Sequence, residues 1–172
     1  MHHASGLLPS GISFGKCPAH EVETDFNIEA YKGTWYQSAI NHSANRQQGG
    51  DCTFAIYGSN EDGTVSVDNS QQKGEPGNFG PRTHITGYAR PANDNHDGHL
   101  KVKLRGMPFE GGYDVLKTDY TSYAVIYSCF DLHIAKMEYA WLLTREAEPV
   151  LEPITDQAKL EYSKVNLDFD KE

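Results

Sequence analysis

The stretch Tyr31-Lys32-Gly33-Thr34-Trp35-Tyr36-Gln37-Ser38-Ala39-Ile40 sets the smallest residue two places ahead of the largest ring and then alternates polar with apolar side chains. A period of two marks a strand with one face on a core. The same pattern recurs in runs at 34–40, 52–58, 64–69, 82–90, 99–104, 112–118, 122–129 and 138–144. Asn60-Glu61-Asp62-Gly63, Asp94-Asn95-His96-Asp97-Gly98 and Gly106-Met107-Pro108 divide the runs, and these are residues suited to hairpin turns. The pattern predicts an all-β fold: an eight-stranded antiparallel up-and-down β-barrel, whose closure removes exposed edges, with two packed sheets as the alternative. Residues 148–163 place Val150, Leu151, Ile154, Ala158, Leu160 and Tyr162 at helical spacing, with Pro153 in the first turn, which predicts one C-terminal α-helix packed outside. The alternation resumes over 164–169, as in a short edge strand.

The 172 residues suffice for one domain with a real core, and 38% hydrophobic residues with 10 Tyr, 7 Phe and 2 Trp supply the apolar surface. A net charge of −9 with scattered Lys and Arg argues against nucleic acid. No run reaches the roughly 18 apolar residues of a membrane helix, so no membrane insertion is expected. Residues 1–12, beginning Met1-His2-His3, lack the regions of a signal peptide and read as an added or disordered tail, which leaves a single domain over 13–172. Cys17, Cys52 and Cys129 show no C-x-x-C spacing. They are either buried thiols of a cytosolic protein or one bridge plus an odd cysteine of a secreted one.

Several runs place polar groups on a face that a closed barrel would turn inward: Gln37 beside Ala39, Asn69 beside Val65 and Val67, and His84, Thr86 and Tyr88 on one parity. Such groups need partners inside a filled core, and a cavity with a few polar contacts accounts for them better.

The segment 27–36, with Gly33-Thr34-Trp35, resembles the first signature of the lipocalins, a short helix followed by G-x-W. Thr118-Asp119-Tyr120 leading into Tyr123–Cys129 is similar to their second signature, and Trp141-Leu142-Leu143-Thr144-Arg145 to their third. The resemblance spans residues 15–170 and is nearest the group of apolipoprotein D, insect bilin-binding proteins and crustacyanin subunits. It implies that Trp35 closes the barrel floor with Arg145 stacked on it and Gly33 leaving room for both, a favourable contact for a planar guanidinium. It also implies a Cys17–Cys129 disulfide, with Cys52 left without a partner in this chain.

With Trp35 inward, Gln37 and Ala39 share its parity, as do Leu100, Val102 and Leu104 on their own strand. Likeness to the lipocalin pattern adds Ala55, Tyr57, Val67, Asn69, His84, Thr86, Tyr113, Val115, Ala124, Ile126, Tyr139 and Trp141 as ligand contacts. No lysine falls on an inward parity, which argues against a Schiff-base pigment. The expected ligand is a non-covalently bound hydrophobic small molecule, a bound chromophore of the biliverdin-type bilin or carotenoid kind, with fatty acids, sterols or retinoids as the alternative.

No metal ligand is assigned, because His96-x-x-His99 lies in a Gly- and Asp-rich hairpin with His99 toward solvent. G-x-S-x-G, H-E-x-x-H and phosphate-loop motifs are absent, so no catalytic residue or catalytic cofactor is expected. A lipocalin-type isomerase using Cys52 is the enzymatic alternative. The likeness to crustacyanin subunits leaves room for homo- or hetero-oligomers, and the resemblance as a whole implies a secreted, extracellular carrier.

Overall fold

The computed structural model describes residues 12–40, 51–75, 78–150 and 152–168, with the side chains of Asp51, Cys52 and Glu75 outside that description. The chain runs β1 (Ile12–Phe14), α1 (Ile28–Tyr31), β2 (Gly33–Ile40), β3 (Asp51–Ser59), β4 (Val65–Glu75), β5 (Asn78–Pro91), β6 (His99–Leu104), β7 (Gly111–Thr118), β8 (Tyr123–Asp131), β9 (Ala135–Thr144) and α2 (Glu152–Lys164). Strands β2 to β9 pair antiparallel with their sequence neighbours, and β9 pairs back onto β2. The result is a closed eight-stranded barrel with α2 outside. No helix among the described residues is long and apolar enough to cross a membrane.

Turn chemistry matches the sequence. In the β3–β4 hairpin, Asp62 Oδ1 accepts from Thr64 N at 2.9 Å and Gly63 takes φ +85°, a conformation glycine adopts without cost. Among the described residues the ladder register shifts at four places, between Gln37 and Ala39 in β2, Asp51 and Phe54 in β3, Gln72 and Gly74 in β4, and Val115 and Lys117 in β7. The bulges in β2 and β7 each add one residue to their strand and so invert the facing of the residues beyond it.

Apolar side chains sort into two layers. Inside the barrel's closed end, Phe26, Tyr31, Trp35, Val65, Leu100, Val115, Ala124 and Ile126 pack together. Outside, Leu116, Val125, Tyr127, Ala140 and Leu142 from β7, β8 and β9 meet Ala158 and Tyr162 of α2.

The structure departs from the sequence pattern in three places. The runs at 64–69 and 82–90 extend further than their alternation: β4 and β5 continue as a ladder from Ser70↔His84 to Glu75↔Asn78, and its polar side chains conceal it from periodicity. The edge strand expected over 164–169 is absent from its described residues, 164–168. There Leu167 N donates to Tyr162 O at 2.9 Å and Asn166 N to Ser163 O at 3.2 Å, with Asn166 at φ +61°. This is the Schellman cap of α2, with Leu167 in the outer apolar layer beside Tyr162. At the N-terminus, β1 pairs Ile12 with Met137 and Phe14 with Ala135, adding a strand that the sequence pattern does not reveal.

The closed end is built around Trp35, which is fully buried. Its Nε1 donates to Tyr31 O at 2.8 Å, and Arg145 Cζ lies 3.8 Å from the ring centroid. Arg145 also donates to the carbonyls of Thr34 and Lys32, both at 2.9 Å, of Ala30 at 3.1 Å, and of Tyr120 at 2.9 Å. One guanidinium therefore ties α1, β2 and the β7–β8 turn together. Gly33 sits at φ +105°, and a Cβ there would stand 3.0 Å from Arg145 Nη1. Cys17 and Cys129 form a disulfide that fastens the N-terminal segment to β8.

Trp35→Ala is expected to cost about 3–5 kcal/mol of unfolding free energy in urea titration. Arg145→Lys is expected to lose about 1.5–3 kcal/mol, because an ammonium cannot span the carbonyls that the guanidinium bridges. The Cys17→Ser/Cys129→Ser double variant is expected to lose about 2–5 kcal/mol in the same assay.

Candidate functional site

Above the floor the barrel encloses a cavity of about 710 Å³, within the range of small-molecule sites. The strands cannot fill it because their inward residues near the open end stand around the rim rather than meeting across it. The β6–β7 turn contributes Met107, Pro108 and Phe109 to the lip, and the β8–β9 turn contributes Leu132. Phe109 and Leu132 are exposed.

One wall is aromatic. Along β8 and β9, Tyr139 and Trp141 stack with centroids 5.7 Å apart and planes within 6°, and Phe130 meets Tyr139 edge-on at 6.2 Å. Side chains two apart in a strand share a face, so both rings stand on the cavity side of β9.

The base of the cavity is polar but uncharged. Tyr57 and Tyr113 line it and Tyr31 lies beneath, with Tyr57 Oη donating to Tyr113 Oη at 3.0 Å and Tyr31 and Tyr113 hydroxyls 2.8 Å apart. Burial pushes Tyr57 up to about 12 and holds Tyr31 and Tyr113 well above the ordinary phenol range, so all three stay neutral. Three hydroxyls share two hydrogen bonds, and one O–H proton finds no acceptor among the described residues. Higher on the wall, Asn69 Oδ1 is buried with no hydrogen-bond partner among them. These two features offer a donor and an acceptor to an occupant. No lysine or arginine lines the cavity among the described residues, and Asp131 at the lip is engaged by Cys17 N at 2.8 Å.

Ten of the residues expected inward line the cavity: Gln37, Ala55, Tyr57, Val67, Asn69, Val102, Leu104, Tyr113, Tyr139 and Trp141. Leu100, Val115, Ala124 and Ile126 also point inward, yet they belong to the packed closed end and do not reach the cavity. The inward placement of Ala39, His84 and Thr86 is corrected. The bulge at Ser38 turns Ala39 outward, where it packs in the layer beneath α2. On β5 the inward parity is the other one, since Gly87 pairs with Val67 and Ala89 with Val65. His84 and Thr86 therefore face solvent, with His84 Nδ1 3.0 Å from Asp68 Oδ1. Gly87 explains the misreading: a Cβ there would lie 2.1 Å from Lys103 O, so only glycine fits and the inner face lacks an apolar signature.

The cavity wall also includes Leu143, Met137, Phe130, Thr53 and the lip, none of which the sequence pattern singled out. Leu143 and Met137 share the parity of Tyr139 and Trp141 and are legible on that ground. Met107-Pro108-Phe109 reads as turn chemistry alone, although three apolar residues in a turn signal something to cover. Cys52, the nucleophile of the enzymatic alternative, has its side chain outside the described residues.

Comparison with known proteins agrees with this geometry. The family model described as Lipocalin-like domain matches residues 26–162. Apolipoprotein D of Bos taurus is 34% identical over 142 residues, covering 82% of this chain and 71% of the relative. Insecticyanin from the tobacco hornworm Manduca sexta superposes with a TM-score of 0.75 at 25% identity, covering 93% of this chain and 85% of that one. Lobster apocrustacyanin A1 shares the fold with a TM-score of 0.74 at 22% identity, over 96% and 90% of the two chains. The chain belongs to the lipocalin family and is a hydrophobic-ligand-binding protein of that family.

Proposed function

We propose that this protein is a secreted carrier that holds an elongated, flat, conjugated molecule non-covalently in the barrel, a pigment of the bilin or carotenoid kind. The aromatic wall of Tyr139, Trp141 and Phe130 carries this reading, because a conjugated ring system gains aromatic contacts there, edge-to-face or offset, that a saturated chain does not. The uncharged tyrosine base suits a ligand whose end bears a carbonyl or lactam oxygen, which accepts the spare hydroxyl proton at no cost in buried charge. The similarity to insecticyanin and to a crustacyanin apoprotein points the same way. The Cys17–Cys129 disulfide fits an oxidising, extracellular setting.

A colourless lipid is the second reading, supported by the identity with apolipoprotein D and by the apolar lip through which an acyl chain or sterol would pass. An absorption spectrum of protein isolated from its natural source separates the two. A bilin gives paired near-ultraviolet and red bands and a carotenoid a shifted visible band, whereas a spectrum with protein bands alone favours lipid.

Titration with biliverdin and with a keto-carotenoid, read by quenching of tryptophan fluorescence, is expected to saturate at one ligand per chain. Trp141→Ala is expected to weaken binding about tenfold, the equivalent of about 1.4 kcal/mol, against a visible-absorbance readout. His84→Leu is expected to leave affinity unchanged, since that ring lies on the outer face. A loss there equal to that of Trp141→Ala would contradict the assignment of the cavity wall.

A further inference from the structure

Outside the barrel, three separate segments bring two imidazoles onto one carboxylate. His20 lies in the strap of residues 16–24 that the Cys17–Cys129 bridge fastens to β8. The strap is also held by Glu23 N donating to Val115 O at 2.9 Å and by Gly98 N donating to Glu23 O at 2.8 Å. His99 opens β6 and is the register partner of Asp114 on β7. Asp114 Oδ2 is 2.8 Å from His20 Nε2, and its Oδ1 is 2.9 Å from His99 Nδ1.

The second nitrogen of His20 decides the chemistry. Nδ1 is 3.0 Å from the carbonyl oxygen of Pro18, which can only accept, so Nδ1 carries a hydrogen. A neutral ring then aims the Nε2 lone pair at a carboxylate oxygen, two acceptors face to face. The contact is satisfied only when Nε2 carries a cation, either a second proton or a metal ion. Asp114 favours the proton, raising His20 above its ordinary value against the opposing effect of burial. The same geometry favours a metal, because an imidazole fixed through its far nitrogen on a carbonyl is oriented and made more basic as a ligand. The ring of Tyr127, edge-on to His20 at 5.1 Å, holds the imidazole plane, while the Tyr127 hydroxyl is committed to Glu138 at 2.6 Å.

We propose that His20, His99 and Asp114 form a site for a divalent cation of the zinc class, clamping the N-terminal strap onto β6 and β7. The three ligand atoms lie within 4.8 Å of one another. Metal bonds of about 2.0–2.2 Å draw that set inward, and His99, at 34% side-chain exposure, is free to turn while His20 at 12% and Asp114 at 16% are held. Two imidazole nitrogens with one carboxylate oxygen suit zinc, whereas calcium and magnesium take oxygen ligands. The exposed side of His99 leaves a remaining position for water. Sequence spacing offers only His96 as a companion for His99; the fold supplies His20 across 79 positions of chain instead.

The test is titration of chelator-stripped full-length protein with zinc chloride by calorimetry, paired with thermal unfolding. One zinc per chain and a raised Tm are expected. His20→Gln and His99→Gln should each weaken binding at least tenfold and abolish the rise in Tm. The other histidines, His2 and His3 included, remain in both variants and report any unrelated binding. Near-ultraviolet circular dichroism checks that the variants are folded, and His99→Gln, at a half-exposed ring, carries the test if His20→Gln disturbs the strap. Unchanged zinc affinity in a folded variant, or no rise in Tm of the parent protein at saturating zinc, would overturn the site and leave a proton as the occupant of the His20–Asp114 contact.

Discussion

The contact of Arg145 with Trp35 determines how deep the barrel is. A guanidinium 3.8 Å from an indole centroid, donating to the carbonyls of Ala30, Lys32, Thr34 and Tyr120, closes one end with a plug that belongs to three chain segments at once. Charge-assisted hydrogen bonds and a cation–π contact reinforce each other on a partly buried guanidinium. Gly33 is the local condition for this, since any side chain there would meet the guanidinium and strain a backbone at φ +105°. With the floor held from below, the strands above need not meet at the axis, and space for an occupant is left without loss of the fold.

That division explains why one barrel carries two kinds of interior. Near the floor, Val115, Ala124 and Ile126 are fully buried and pack as an ordinary core. Toward the lip, rings line the wall without filling the space, and stability there depends less on mutual packing. The outer layer beneath α2 supplies what the cavity gives up: Tyr127, Leu142 and Val125 bury against Ala158 and Tyr162 on the opposite face of the same strands. The acidic exterior and the uncharged interior are likewise separate features, the first serving solubility and the second tolerating a hydrophobic guest.

Much of this is legible in the residues. Alternation from Gly33 to Thr144 yields eight strands in order, and the turn residues place the hairpins. The features that escape do so for physical reasons. A bulge such as the one at Ser38 changes facing without changing composition, so simple alternation puts Ala39 on the wrong side. The inner face of β5 carries the small Gly87 and Ala89, the first because β6 runs too close for any side chain, and the more conspicuous His84, Thr86 and Tyr88 draw the eye to the wrong parity. Two polar faces conceal the long β4–β5 ladder, and Val165 and Leu167 imitate a strand while capping a helix. The cavity lip escapes because turn residues report backbone conformation rather than what their side chains cover.

The central claim is that a neutral, aromatic-walled space inside the barrel is occupied in the working protein. Electron density from crystals of protein isolated from its natural source tests it most directly. The account predicts continuous density for one elongated molecule lying along Tyr139 and Trp141 with a polar end toward Tyr57 and Tyr113. Side chains collapsed into a solid core, or an interior holding water alone, would contradict it.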